Sequence, residues 1–242
     1  MRSTLYQPRT YRRARSEDAL VAFRVVLAET DLWIRAERNL SEEALRAIRS
    51  VRREIEGTIR RDEAFLGALE PYPVAGDAPE VVREMAQAAD KAGVGPMAAV
   101  AGAIAETVGK SLLRFSDQVI VENGGDIFIR TRCPRSVGIF AGASPLSNKV
   151  ALRIAPDRTP MGVCTSSGTV GHSESFGRAD AVVVLSSSTA LADAVATAAG
   201  NRIARPEDIE QAMDFAMGIE GVGGIVVILG DRLGVCGEVT LT

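Results

Sequence analysis

Histidine is nearly missing from this chain: His172 is the only one among 242 residues. Imidazole chemistry, if the protein uses any, therefore has a single address. Cysteine is almost as scarce. Cys133, Cys164 and Cys236 are odd in number and widely spaced, a pattern that suits neither a disulfide framework nor a zinc site and fits a reducing compartment. No apolar h-region lies near Met1, and no uncharged run is long enough to span a bilayer. The expectation is a cytoplasmic protein with no membrane association. A net charge of -3 offers no positive excess for a nucleic-acid partner, and none is expected. The early arginines Arg2, Arg9, Arg12, Arg13 and Arg15 read as a solvated basic arm over residues 1–18. A long linker is also lacking. At 46% apolar, residues 19–242 can bury a full core as a single domain of two intimately packed lobes.

What is present has clear periodicity. Phe23 to Ala36 alternates around Glu29-Thr30-Asp31 and reads as a hairpin. Ser41 is placed to cap a helix whose apolar positions Leu45, Ile48, Val51, Ile55 and Ile59 share one face. Asp77-Ala-Pro-Glu80 has the form of a capping box, and Gly93 is a natural stop. Pro96 to Gly109 is a helix of small residues, smooth enough to lie against another backbone within one subunit or between two, which leaves a homo-oligomer open. Val119 to Ile129 reads as two strands meeting at Asn123-Gly124-Gly125, where positive φ is cheap. Short strands follow at 137–140, 150–154, 162–165 and 181–185. An alanine-rich helix, a further helix from Pro206 to Met217, and closing strands at 225–229 and 235–241 complete the chain. Strands mixed with helices, without regular βαβ alternation, favour an α+β fold. Ala99 to Lys110 matches Ala190 to Asn201 at five alanine and glycine positions, with Gly102 and Glu106 standing opposite Asp193 and Thr197.

The chemistry concentrates between Cys164 and Gly200. Asp193 and Thr197 are four residues apart and share a helix face, which suits either the protein half of a Mg²⁺ site or a carboxylate supporting a helix end. Thr165-Ser166-Ser167-Gly168 is either a hydroxyl-rich turn or a set of donors for a phosphate or a flavin ring. Glu122-Asn123-Gly124-Gly125-Asp126 is a tight hairpin whose polar side chains can also face a ligand. Cys164 or Ser166 with His172 suggests a cysteine or serine hydrolase, against which stands the commoner case of a small cysteine ending a buried strand. His172, in so polar a run, reads as a general base or substrate contact. A non-catalytic ligand-binding or assembly module is the third reading.

The order of Asn-Gly-Gly-Asp hairpin, Thr-Ser-Ser-Gly strand end, histidine loop and Ala-Asp-Ala-x-Ala-Thr helix resembles the ApbE superfamily of FAD-dependent flavin transferases, also known as thiamine biosynthesis lipoproteins. Val94 to Gly102, Val121 to Asp126 and Cys164 to Ser173 resemble more closely a short, uncharacterised ApbE-like branch. That closer resemblance covers nearly the whole chain, and the link to the transferases falls mostly within residues 119–201. It implies an ApbE-like (T-fold-like) α+β fold with mixed sheets, packed helices and an internal duplication, and a small-molecule phosphorylated ligand, FAD or FMN, held with Mg²⁺. By position the metal falls to Asp193 and Thr197. The ligand falls to Thr165, Ser166, Ser167 and Gly168 and to the hairpin Asn123, Gly124, Gly125 and Asp126, and the catalytic role to His172. One motif departs: the transferases follow their histidine with Asp-Pro-x-Thr-Gly, and here Ser-Glu-Ser-Phe-Gly follows His172.

Overall fold

A computed structural model describes residues 20–168 and 177–242. The basic arm, and His172 with it, lie outside the described residues. Strands β1 (Val21–Leu27) and β2 (Thr30–Ala36) form the expected hairpin, with Ala28 at φ 51° in its turn. Three helices follow: α1 (Ser41–Arg61), the single turn α2 (Ala64–Gly67) and α3 (Glu80–Ala92). A 3-10 turn at Pro96–Ala99 runs into α4 (Val100–Leu112), and the chain returns through β3 (Val119–Asn123) and β4 (Asp126–Arg130). Strands β5 (Arg135–Gly138) and β6 (Ala151–Ile154) make a separate hairpin. The second half holds β7 (Met161–Ser166), β8 (Ala181–Ser186), α5 (Thr189–Gly200), α6 (Asp208–Met217), β9 (Val222–Leu229) and β10 (Arg232–Gly237).

Eight strands form one sheet in the order β1-β2-β3-β4-β7-β8-β9-β10. Each half thus reads hairpin, helices, hairpin. All the pairings of these strands are antiparallel, where mixed sheets were expected. The reason lies in the connections: hairpins reverse the chain, and the α5–α6 pair runs out and back, so β9 starts at the end of the sheet where β8 finished.

Strand alternation sends successive side chains to opposite faces and so divides the core in two. Val121, Phe128, Cys164, Val182 and Ile225 face the helices, which add Ile48, Val51, Met85, Val108 and Val195. Ile129, Val163, Val183 and Ile228 face the other way, toward Leu152 and Ile154 of the small hairpin.

Local caps differ from the sequence reading. The side chain of Asn39, not of Ser41, satisfies the start of α1, its Oδ1 accepting the Ser41 N–H at 2.9 Å. The Asp77 box does not form, because α3 begins only at Glu80, leaving Glu80 as the acidic first-turn residue that meets the positive helix end. Gly93 does stop α3, at φ 68°. Strand β10 ends earlier than expected because Gly237 turns the chain at φ 81°, and Leu241 makes an isolated bridge to Leu152 instead.

Helices α4 and α5 cross at close approach. A Cβ placed on Gly102 would lie 2.4 Å from the Thr189 carbonyl oxygen. At this approach each helix caps the other. Asp193 Oδ2 accepts the Gly102 N–H at 2.8 Å, and Glu106 Oε2 accepts the Thr189 N–H at 2.7 Å and the Ala190 N–H at 3.3 Å. Lys110 pairs with the other Glu106 oxygen at 2.9 Å.

Candidate functional site

The ends of β3, β4 and β7 meet the start of α4 and the middle of α5. The Asn123-Gly124-Gly125 turn, with glycines at φ 70° and 121°, brings Asp126 back beside the end of β7, where the Thr165 N–H donates to Asp126 Oδ1 at 3.3 Å. Asn123 Nδ2 donates to the Ala101 carbonyl at 3.1 Å, tying the hairpin to the first turn of α4. Asp193 reaches the same turn from α5.

Two carboxyl groups therefore share one place, Asp126 buried and Asp193 half-buried. Burial pushes the Asp126 carboxyl up to about 7, the neighbouring Cys164 thiol and the Thr165 N–H oppose the rise, and the Glu122 charge adds to it. The Asp193 carboxyl is also pushed well above its ordinary value, first by burial and then by the charge of Asp126, although the Gly102 and Ala101 N–H groups oppose this. No ion pair joins either aspartate to a lysine or arginine among the described residues. Two acids held together are predisposed to take up a proton or a metal ion.

The opposite face of the same hairpin borders a cavity of about 550 Å³ between the main sheet and β5–β6, a size typical of small-molecule sites. Gly124, Gly125, Thr165 and Ser167 line it. Asn123 and Asp126 face the helices instead, since alternate residues leave a strand on opposite sides. Ser166 is also on that side, buried against Gly200. Gly168 serves packing: a Cβ there would lie 2.0 Å from the Gly177 carbonyl oxygen. Thr197 sits one turn beyond Asp193, half-buried. The expected ligand and metal residues thus gather at one end of the sheet but on both its faces, and the glycine hairpin is the wall between them.

Several lining residues were not singled out from sequence. Trp33 and Arg35 lie on the cavity side of β2, and Arg135 and Lys149 come from the small hairpin. A signal exists for the first two, which alternate with the fully buried Leu32, Ile34 and Ala36.

Cys164 is fully buried, and its thiol donates to the Thr189 carbonyl at 3.3 Å. Burial, with Asp126 and Asp193 nearby, pushes its pKa well above the ordinary thiol value. Such a thiol is a packed core group and a poor nucleophile, which argues against the cysteine hydrolase reading. Alkylation of the native protein with iodoacetamide is expected to modify Cys133 and Cys236, which are half-exposed, and to reach Cys164 only after denaturation. Mass spectrometry showing Cys164 modified as fast as the other two would contradict this. No group of three or more His, Cys, Asp or Glu side chains is set to hold a metal among the described residues, and no single helix there is long and apolar enough to cross a membrane.

A family model described as AbpE bacteria matches residues 12–230. The chain is 45% identical over 213 residues to a UPF0280 protein of Methanocella arvoryzae, covering 88% of this chain and 86% of that protein. It is 45% identical over 209 residues to a UPF0280 protein of Methanosphaerula palustris, covering 86% and 84%. Among solved structures, the flavin transferase ApbE from Vibrio cholerae superposes with a TM-score of 0.59 at 15% identity, covering 90% of this chain and 97% of that one. The apo form of the Pseudomonas stutzeri flavinyl transferase ApbE gives 0.59 at 16%, covering 90% and 94%. At such identities the likeness is one of fold, and the fold is ApbE-like.

Proposed function

We propose a function from one premise: the chain belongs to the family described as AbpE bacteria. On that premise the protein binds a flavin nucleotide, FAD or FMN, or a closely related phosphorylated small molecule, together with Mg²⁺. The observation that carries this reading is the juxtaposition of the Asp126–Asp193 pair with the cavity across the Gly124–Gly125 hairpin. The cavity suits a flat ring, and the acid pair suits a cation that in turn attracts phosphate.

The donor set fits magnesium. Asp193, Asp126 and the Thr197 hydroxyl are hard oxygen donors, and two carboxylates are the complement with which Mg²⁺ usually binds while water and substrate phosphate fill its remaining positions. When bound, the ion polarises phosphoryl oxygens toward transfer or hydrolysis at a pyrophosphate. The chain's own residues do the positioning. Asn123 and Asp193 tie the hairpin and α5 to the first turn of α4, and His172, which lies outside the described residues, is assigned the role of proton acceptor. Three cysteines, odd in number and widely spaced, accord with a cytoplasmic setting.

Mass spectrometry of small molecules released from natively purified protein tests the ligand class. Retained FAD or FMN is the expected result. Protein that is empty and also fails to bind added FAD with Mg²⁺ would overturn the reading. Because Ser-Glu-Ser-Phe-Gly follows His172 in place of the transferase Asp-Pro-x-Thr-Gly, no FMN transfer is expected onto acceptor peptides of the usual transferases. A peptide that gains the mass of FMN in the presence of FAD and Mg²⁺, and does not gain it with His172→Ala, would contradict that expectation.

A further inference from the structure

We propose that the outer edge of β10 is the contact through which two copies of this chain associate, strand against strand about a two-fold axis. The inference rests on β10 and its surroundings and is independent of the flavin reading.

β10 ends the eight-stranded order and pairs on one side only, with β9. The two-residue turn at Gly230 and Asp231 makes Leu229 and Arg232 a hydrogen-bonded pair, so the backbone groups of successive β10 residues turn alternately inward and outward. Two bonds fix the phase. The Glu238 N–H donates inward to the Gly223 carbonyl at 2.8 Å, and Ile228, which stands opposite Leu233, accepts the Asp180 N–H at 2.9 Å on the side away from β10. The N–H and C=O groups of Leu233 and Val235 therefore point out of the sheet, and none of them has a partner among the described residues.

Open strand edges in folded proteins are usually protected by charge, proline or a covering segment. At the other end of the sheet, β1 carries the half-exposed Arg24 at its centre. From Leu233 to Gly237, β10 reads Leu-Gly-Val-Cys-Gly and has no such protection. Leu233 and Val235 are 42% and 40% exposed on the face away from the helices. On the helix side Met213 lies against Gly234 and Met217 against Gly237, where an added Cβ would meet Met213 Sδ at 2.8 Å and Met217 Cε at 2.9 Å. Both methionines are half-buried. Apolar side chains thus rim the open edge on both faces.

A second copy completes this edge. Antiparallel pairing centred on Gly234 sets Leu233 of one copy opposite Val235 of the other, and every unpaired group of both residues then gains a partner. The Leu233 and Val235 side chains of the two copies share a face and join into one apolar row. Gly234 meets its own copy on the axis, where the backbones come closest and where a side chain would crowd Met213. An unrelated extended peptide can use the same backbone groups, but a second copy also brings a matching methionine rim. The two-fold closes the contact at two copies. A strand pair with such rims is at the small end of specific interfaces, so the dimer forms at micromolar concentrations.

Sedimentation velocity of the wild-type protein across micromolar concentrations is expected to show a monomer–dimer equilibrium. Val235→Lys and, separately, Leu233→Lys should each raise the dimer dissociation constant by about tenfold or more. Because both side chains are exposed in the monomer, its melting temperature should not change. The register has its own test. In this pairing Arg232 stands opposite Cys236 of the other copy with Cα atoms about 4.5 Å apart, within the span of a disulfide. Within one strand the two positions lie about 13 Å apart, too far to bond. Arg232→Cys protein oxidised with copper phenanthroline should therefore run as a covalent dimer on a non-reducing gel, and Arg232→Cys combined with Cys236→Ser should not. A wild type that stays monomeric throughout, a dimer that persists in Val235→Lys, or the absence of a Cys236-dependent cross-link would overturn the proposal.

Discussion

Asp193→Asn is expected to weaken Mg²⁺-dependent FAD binding by roughly tenfold or more and, without metal, to raise thermal stability at alkaline pH. Both effects come from one lost charge. The amide keeps the size of the side chain, and its oxygen can still accept the Gly102 N–H, so the start of α4 stays capped. What disappears is half of a carboxylate pair that repels itself when ionised and attracts a cation. The same pair gives the metal-free wild type a pH dependence of definite sign. The Asp126 carboxyl rises from 3.8 to about 7 on folding, so between those values the folded chain holds a proton that the unfolded chain has released. Its contribution to stability is therefore complete below about pH 4, falls as pH rises through about 7, and is lost above that, with a slope of at most about 1.4 kcal/mol per pH unit. Mg²⁺ should restore stability on the alkaline side by binding the ionised form. Melting temperatures in EDTA and in Mg²⁺, from about pH 5 to about pH 8, measure this for wild type and variant. A wild-type protein whose metal-free melting point stays flat or climbs over that range would contradict the account.

Gly102→Val is expected to destabilise the protein by about 3 to 5 kcal/mol, combining overpacking with the weakening of two helix caps. The added Cβ would meet the Thr189 carbonyl oxygen at 2.4 Å and the Asp193 Cβ at 2.8 Å. A backbone oxygen cannot rotate away, so α4 and α5 must separate. Separation stretches the Asp193 bond to Gly102 and the Glu106 bonds to Thr189 and Ala190 together. Such a loss is a large share of the stability of an ordinary domain. Urea unfolding reads it directly, and a midpoint unchanged from wild type would mean that the crossing is not closely held.

Local pattern made much of this architecture legible. The β1–β2 hairpin, the apolar stripe of α1, the stop at Gly93 and the Asn123-Gly124-Gly125 turn all follow from side-chain period or from the φ preference of single residues. Cap identity was less legible, because the helix starts at Ser41 itself, so Ser41 donates its N–H to Asn39 instead of capping the turn that follows, a choice made by a small shift in where the helix starts. The site was legible as a set of residues and not as an arrangement. Spacing places Asp193 and Thr197 on one face of α5, but the group that Asp193 meets lies 91 residues earlier in the chain. The hairpin reads as one motif, yet the pleat turns Asn123 and Asp126 toward the helices and leaves the glycines on the cavity. Arg135 and Lys149 carried no signal, since their importance depends on where the small hairpin folds over the sheet.

The central claim, that this end of the sheet binds a flavin nucleotide through magnesium, meets its most direct test in isothermal titration of FAD into the wild-type protein with Mg²⁺ and again with EDTA. The account predicts saturable one-site binding with Mg²⁺ that is at least tenfold weaker in EDTA. Affinity that is the same in both, or no binding in either, would contradict it.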